Sequence, residues 1–510
     1  MAAKKLNIKD KYRLLTRDLD WDFSYEDRKK AFPFEEFEGI KITDWDKWED
    51  PFRLTMDTYW KYQAEKEKKL YAIFDAFAQN DGHLNVSDPR YVNAVKLFLT
   101  AVTPLEYQAY QGFAHVGRQC GGVGARVACQ MQALDELRHV QTQIHAMSHY
   151  NKFFDGMQEF SHQHDRVWYL SVPRSFFTDA RSAGPFEFMV AIGFSFEYVL
   201  TNLLFVPFMS GAAHNGDMAT VTFGFSAQSD EARHMTLGLE VIKFMLEQHE
   251  DNLPIVQKWI DKWFWRGTRL LTVVAMMMDY MLPNKVMSWK EAWEVYFEDA
   301  GGSLFKDLAR YGIRPPKYSD VIEKEKEHIS HQAWWTFYTH GHATGFHTFI
   351  PTDEELDWLS AQYPDTFDKY YRPLWEFAKE KEAKGERFYT TGLPQLCQVC
   401  QVPMLFTEMD NPNQNSMRDS MYEGERYHTC SDGCKDIFDD EPEKYVQAWL
   451  PVHQIMQGNC GGPEMTDILS EFYKMNVGAD NMDHKGSPDE QRWNKWKGIA
   501  EPSDQELNIT

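Results

Sequence analysis

The sequence Asp135-Glu136-Leu137-Arg138-His139 returns further along the chain as Asp230-Glu231-Ala232-Arg233-His234. Each copy sets a Glu and a His three residues apart, which on an α-helix points both side chains to one face. A single Glu-x-x-His can come from a salt-bridged surface helix. Two copies, each with Asp before the Glu and Arg before the His, constrain the fold much further. A dinuclear metal site inside a helical bundle takes a Glu-x-x-His from each of two helices and a lone Glu from each of two others.

Two such glutamates are present. Glu106 lies late in an apolar helical segment opened by Ser87-Asp88-Pro89, and Glu197 is the only charged residue between Phe188 and Met209. The order Glu106, Glu136/His139, Glu197, Glu231/His234 is a lone Glu followed by a pair, twice over, and predicts an approximately two-fold bundle core. Four carboxylates and two neutral imidazoles balance two divalent ions, which suits apolar surroundings because uncompensated buried charge is costly. Carboxylate-rich ligation without thiolate favours iron or manganese over structural zinc or copper. Asp135 and Asp230 are suited to accept the remaining N–H of the ligand histidines, and Arg138 and Arg233 can pair with those aspartates in turn. The bland alternative, surface charges, must account for all six residues together.

With 510 residues the chain can form one large domain and a smaller one, with a core able to bury such a site. Its net charge of -23 argues against a nucleic-acid partner, whose phosphates it would repel. The polar stretch from Met1 to Asp10 predicts no secretory signal, and seven cysteines, few and odd in number, fit a reducing cytosol. A cytoplasmic protein is expected. The run from Phe188 to Met209 is long enough to span a bilayer, but Glu197 sits at its centre with Thr201 and Asn202 one turn on. A buried central helix of a large bundle fits it better than a membrane span.

Along the chain, residues 1 to about 55 show little helical period and read as an extended arm over a neighbouring surface. Met56 to Phe77 reads as a helix whose Lys and Glu residues form a solvated face. Asp88 and Pro89 predict a cap and first helical position, and Pro104 predicts a kink beside Glu106. No strand precedes Gly121-Gly122-Val123-Gly124, so a phosphate-binding loop is rejected. Helices are expected from Ala125 to about Tyr150, around Glu197 to near Gly211, from Asp217 to about Gln248, and from Leu253 to about Tyr280. Residues 151–185, with Pro173 and Pro185, read as an irregular connection. His328, His331, His340, His342 and His347 lie among aromatics; His340-Gly341-His342 can suggest a metal site, but packing or an interface accounts for them better.

After a composition shift near Thr390 come Cys397-x-x-Cys400 and Cys430-x-x-x-Cys434. Two paired cysteine knuckles predict a tetrahedral structural zinc site. A redox disulfide is the competitor, without the βαβ pattern that usually surrounds one. Cys120, Cys129 and Cys460 are left as buried thiols, and the polar last thirty residues read as a docking tail.

The two Asp-Glu-x-Arg-His motifs, with Glu106 and Glu197 in order, resemble the soluble bacterial multicomponent monooxygenases over most of the chain, and the phenol hydroxylase branch in particular. Gln143, one turn after His139, is similar to the toluene and phenol enzymes, where methane-oxidising relatives have cysteine. The module with Cys397, Cys400, Tyr427-His428-Thr429-Cys430 and Cys434 resembles the small zinc domain of phenol hydroxylase large subunits. The resemblance implies a mainly-α, ferritin-like helical bundle with a diiron core and a small C-terminal zinc-binding module. It implies Glu106, Glu136, His139, Glu197, Glu231 and His234 as iron ligands and Thr201 as an active-site threonine that handles oxygen and protons. Asn202 and Gln228 match polar residues that respond to a regulatory protein, and Val102, Ala109, Gln143, Phe176, Ile192 and Phe205 would line the substrate pocket.

Phenol would then become catechol, with methylphenols also accepted, using dioxygen and NADH-derived electrons. Those electrons would arrive through a separate flavin and [2Fe–2S] reductase, since this chain has no Gly-x-Gly-x-x-Gly fingerprint and no ferredoxin cysteine spacing and so binds no flavin or nicotinamide itself. The family implies two smaller hydroxylase subunits in a paired assembly and a small regulatory protein. The expected organisation is an arm and first helix over 1–80, the diiron bundle over 81–390, the zinc module over 391–450 and a tail over 451–510. Two rivals share the bundle. A ribonucleotide reductase radical subunit usually carries tyrosine where Gln143 stands, and an iron-storage ferritin is far shorter.

Overall fold

The computed structural model describes residues 6–18, 26–31, 38–86, 88–154, 157, 170–340, 348–385, 396–403, 407–408 and 411–448. Long helices carry the chain: α1 (Met56–Gln79), α2 (Pro89–Gln119), α3 (Val123–Tyr150), the shorter α4 (Ser171–Ser182), α5 (Val199–His214), α6 (Met218–Gln248), α7 (Asn252–Met276) and α8 (Ile329–His340). Local chemistry sets their starts. Asp88 accepts the N–H of Arg90 at 2.8 Å with Pro89 in the first turn, as the sequence predicts. Asp217 Oδ1 accepts from Ala219 and Thr220, each at 3.1 Å. Its other oxygen accepts the hydroxyls of Tyr91 at 2.7 Å and Tyr150 at 2.6 Å, so one buried cap also ties α2 and α3 to the start of α6.

The Glu197 segment enters α5 through a short helix, Pro185–Phe188, and a π-helical stretch, Met189–Tyr198. This rod, Pro185–His214, is the one helix among the described residues long and apolar enough to cross a membrane, and 82% of its apolar window is buried inside the protein. It meets α6 backbone to backbone: a Cβ on Gly238 would stand 1.9 Å from the Gly193 carbonyl oxygen. Only glycine permits that approach.

The cysteine-bearing segment adds the little sheet found among the described residues: β1 (Thr407–Glu408) pairs with β2 (Asn411–Asn415), and β3 (Arg418–Tyr422) pairs antiparallel with β4 (Glu425–Thr429). Glu423 (φ 50°) and Gly424 (φ 84°) make the left-handed pair that a two-residue hairpin turn requires. Helix α9 (Asp432–Asp440) follows and packs on α7.

Several expectations change. Residues 151–185 are not simply irregular, because α4 lies within them, with Pro173 in its first turn, where a missing N–H costs nothing. Helix α2 runs through Pro104 without a break, and the irregular winding belongs instead to the helix of the other lone glutamate. The arm is partly helical (Ile8–Arg13, capped by Asn7 and Asp10) and lies over this chain's own core. Trp45 and Trp48 of the arm pack on Phe244 and press on Gly122 and Gly124, where a Cβ would meet their rings at 2.4 and 2.8 Å. His328 and His331 are buried among Tyr280, Tyr363 and Tyr371, as packing predicts. The side chain of His340, and His342, His347, Cys460 and the tail, lie outside the described residues.

Candidate metal centre

Helices α2, α3, α6 and the π-helical stretch bring the six sequence-predicted ligands together in the core. Glu106, Glu136, His139 and Glu231 each offer an atom within 4.8 Å of the others, and Glu136, Glu197 and His234 form a second group that shares Glu136. His139 Nδ1 lies 3.4 Å from Glu106 Oε2 and 3.5 Å from both Glu136 Oε2 and Glu231 Oε1. His234 Nδ1 lies 3.2 Å from Glu136 Oε1 and 3.4 Å from Glu231 Oε2. Glu136 and Glu231 therefore turn one oxygen to each imidazole, the posture of carboxylates that span two metal positions, while Glu106 and Glu197 sit at opposite ends.

Both Nδ1 atoms are buried and have no hydrogen-bond partner among the described residues. Two orphaned imidazole nitrogens facing four carboxylates are a donor set that two divalent cations would satisfy. The opposite ring nitrogens are occupied, and the partners cross between the motifs. His139 Nε2 is 3.3 Å from Asp230 Oδ2, and His234 Nε2 is 3.2 Å from Asp135 Oδ2. Arg138 pairs with Asp230 and Arg233 with Asp135. An Nε2–H held by a carboxylate keeps the Nδ1 lone pair turned inward.

Three further residues reach this network from α1. The Tyr59 hydroxyl donates to Asp135 at 2.9 Å, the Gln63 amide donates to both Asp135 (2.5 Å) and Asp230 (2.9 Å), and Lys66 pairs with Asp230 at 2.7 Å. Their i, i+4, i+7 spacing was visible in the sequence, but polar Gln63 and Lys66 interrupt the apolar stripe Tyr59, Leu70, Phe74, Phe77 and merge with the charged face. The lone glutamates are held as well. Gln143 donates to Glu106 at 3.1 Å, and Gln132, one turn before Glu136, donates to Glu197 at 2.8 Å.

The charge state follows from burial. Burial pushes the Glu106 carboxyl up to about 8 against the pull of His139, and pushes Glu197 well above the carboxylate range, with Glu136 adding repulsion. Burial acts the same way on Glu136, but His234 and His139 override it and hold it well below that range. Burial would strip the proton from both histidines, yet Glu106 and Asp230 around His139, and Glu136 and Glu231 around His234, raise them well above the usual imidazole value. Protons thus occupy the places that cations would take, and metal loading would displace them.

The site opens on a cavity of about 60 Å³, several times the space one water needs. Its walls are apolar apart from Glu106, Glu136, Glu197, Glu231 and Thr201. Of the expected pocket residues, Val102, Ala109, Ile192 and Phe205 line it. Phe176 does not; its neighbour Phe177 does, while Phe176 packs edge-on against Trp263 at 5.6 Å. Gln143 is likewise absent from the walls, because its amide is spent on Glu106. Thr201 lines the cavity and donates to the Phe196 carbonyl at 3.2 Å. Asn202 and Gln228 are half-buried and lie off the cavity. Leu270, Val273, Val274 and Met277, from the α7 end, complete the wall with no motif to announce them.

Cys397, Cys400, Cys430 and Cys434 also converge, all buried, with their sulfur atoms within 4.8 Å of one another. Cys400 and Cys430 are 3.6 Å apart, close to the edge of about 3.8 Å that a tetrahedron of 2.3 Å metal–sulfur bonds requires. Burial raises the Cys397 thiol, but hydrogen bonds from the other three cysteines hold it well below the usual thiol value. Four thiols that support one thiolate among themselves fit a structural cation site. Cys120 and Cys129 are buried thiols outside the cluster, as expected.

Comparisons with known proteins agree with this geometry. Residues 21–249 match the family of methane/phenol/alkene hydroxylases, and residues 408–449 match the YHS domain. The oxygenase component of phenol 2-monooxygenase from Pseudomonas sp. (strain CF600) is 72% identical over 98% of this chain and 97% of that protein. The alkene monooxygenase oxygenase subunit alpha of Xanthobacter autotrophicus is 29% identical over 91% of this chain and 93% of its own. The crystal structure of xenon-pressurized phenol hydroxylase from Pseudomonas sp. OX1 superimposes with a TM-score of 0.93 at 71% identity, covering 97% of this chain and all of that one. The chain belongs to the methane/phenol/alkene hydroxylase family, next to the phenol hydroxylase oxygenase components.

Proposed function

We propose that this chain is the large catalytic subunit of a multicomponent phenol hydroxylase, converting phenol, and methylphenols with it, to catechols with dioxygen and NADH-derived electrons. One observation carries the reading: six buried ligand-type side chains gather in two groups, and their four carboxylates open directly on an apolar cavity. Bound as a pair, iron would supply the two-electron activation of dioxygen that puts one oxygen atom on the ring and releases the other as water.

The residues divide the remaining work. Glu106 with His139 would hold one iron, Glu197 with His234 the other, and Glu136 and Glu231 would span both. Asp135 and Asp230 fix the imidazoles through Nε2, and Gln132 and Gln143 hold the end carboxylates. The π-helical winding around Glu197 leaves that carboxylate on a locally irregular backbone, which suits a ligand that moves with redox state. Apolar walls keep bulk water from the reacting ring, and the Thr201 hydroxyl is the one neutral polar side chain among the described residues that line it to hold a proton or water. Asn202 and Gln228, off the cavity, fit a response to a regulatory partner. The four cysteines would hold zinc.

As an oxygenase component, the chain works within a multicomponent system. We assign to that system two smaller hydroxylase subunits, a cofactorless coupling protein and a flavin/[2Fe–2S] reductase, all in the cytoplasm. The division into arm and first helix (1–80), bundle (81–390), zinc module (391–450) and tail (451–510) belongs to the same proposal. The reading is tested by metal analysis joined to a product assay with phenol, NADH and the partner proteins. Two irons per chain with catechol formed supports it; iron without catechol, or a tyrosyl radical signal instead, overturns it.

A further inference from the structure

Helix α4 has two working faces. Pro173 and Phe177 line the cavity beside the metal centre, while Ser171, Ser175 and Asp179, spaced i, i+4, i+8, face the cysteine module. The contacts on that second face fall on consecutive carbonyls of one cysteine knuckle. Ser175 Oγ shares its one proton between the Val172 carbonyl of its own helix at 3.0 Å and the Cys400 carbonyl at 3.2 Å, and Ser171 Oγ donates to the Gln401 carbonyl at 3.4 Å, while Arg266 of α7 donates to the Val399 carbonyl at 2.8 Å. Arg174 adds a bond to the Gln401 side chain at 3.3 Å.

The far end of α4 is held by charge. Asp179 is buried between Arg266 (3.3 Å) and Lys444 (2.5 Å), and its Oδ2 accepts the Tyr445 hydroxyl at 2.8 Å. Trp265, beside Arg266, donates to Cys434 Sγ at 3.3 Å, which locks α7 to the other knuckle. The module therefore grips both helices that meet behind the cavity. A helix held along a row of hydrogen bonds cannot roll about its axis, and rolling α4 by one residue would replace Phe177 by Phe176 at the cavity wall.

We propose that the cysteine module is a positioning device for the oxygenase reaction: its Cys397–Cys400 knuckle, through Ser171 and Ser175, and its Lys444–Tyr445 end, through Asp179, set the rotation of α4 and hence where Pro173 and Phe177 hold the aromatic substrate. The inference rests on the phenol hydroxylase reading for the identity of that substrate. Ser171, Ser175 and Asp179 are positioning residues, since none of them touches the cavity.

The test uses the assembled hydroxylase with its partner components and the double variant Ser171→Ala/Ser175→Ala. Phenol binding to the resting protein, read by calorimetry, is expected to weaken about three- to tenfold. The ratio of 3-methylcatechol to 4-methylcatechol formed from 3-methylphenol should shift, with iron and cysteine-bound metal per chain unchanged. Ser175→Thr keeps the donor and should restore both readouts. Ser416→Ala removes a different bond of the module, the 2.8 Å one to the Cys430 carbonyl, and should leave both unchanged. Unaltered affinity and isomer ratio in the double variant, or an equal shift in Ser416→Ala, overturns the proposal. A wild-type assembly that makes no catechol would instead remove the functional reading, while the affinity comparison still decides whether α4 is held in this way.

Discussion

Asp230 Oδ2 lies 3.3 Å from Nε2 of His139, a residue of the other motif, and Asp135 returns the arrangement to His234 at 3.2 Å. The two Asp-Glu-x-Arg-His sequences are thus not self-contained half-sites. Each supplies the support for its partner's histidine, and Gln63 bridges the two aspartates from a third helix. Damage to one motif is expected to register at the metal position of the other.

Asp230→Asn should therefore loosen the metal held by His139 and leave an unpaired Arg138 behind. A loss of iron affinity of about 10–100-fold is expected. Iron titration of the variant checks this, and a combination of Asp230→Asn with His139→Ala should cost little more than His139→Ala alone. Full additivity of the two would contradict the crossed arrangement.

The spanning carboxylates and the end carboxylates should differ on substitution. Glu231→Ala touches both positions and should abolish iron binding and phenol hydroxylation while the chain stays folded. Glu106→Ala should leave the position near His234 able to bind, with about one iron retained. Metal content with circular dichroism separates the two outcomes, and equal loss in both variants would contradict the geometry.

Removal of a thiolate from the module should leave the bundle's iron intact. Cys430→Ser is expected to empty the cysteine site and lower stability by several kcal/mol, since structural metal binding is also folding energy. Zinc and iron measured on the same sample, with a melting curve, test this division.

Acid should destabilise the fold through His149. Burial beside Phe74, Phe77 and Phe153, with the Lys152 charge adding to it, lowers this imidazole to about 4. The folded state keeps it neutral, whereas the unfolded chain takes up the proton near pH 6.5. Its contribution is therefore complete above about pH 6.5 and is lost as pH falls towards 4, amounting to roughly 2–3 kcal/mol. Urea unfolding of the wild type and His149→Leu across that window should show a shallower pH slope in the variant.

The chemistry of the centre was readable along the chain because its parts obey the helix period. Glu136 with His139, and Glu231 with His234, must share a face at that spacing, and Glu197 could be read from its isolation in an apolar run. The cysteine cluster was readable from spacing for the same kind of reason. Tyr59, Gln63 and Lys66 were not, since polar members of a buried stripe look like part of a solvated face until the groups they bond are known. Residues 151–185 concealed α4 because prolines in a first turn resemble loop punctuation.

By itself, then, the sequence determined which side chains are of ligand type, that four helical segments carry six of them, and that four cysteines form a separate cluster. Only the tertiary structure decided that the aspartates cross between motifs, that Phe177 and not Phe176 meets the cavity, and that the irregular winding lies at Glu197 and not beside Glu106. The reason is geometric. Periodicity along one helix specifies a face, but the partner of that face depends on the rotation and offset between helices. Those are set by distant contacts such as Gly238 on Gly193 and Ser175 on the Cys400 carbonyl.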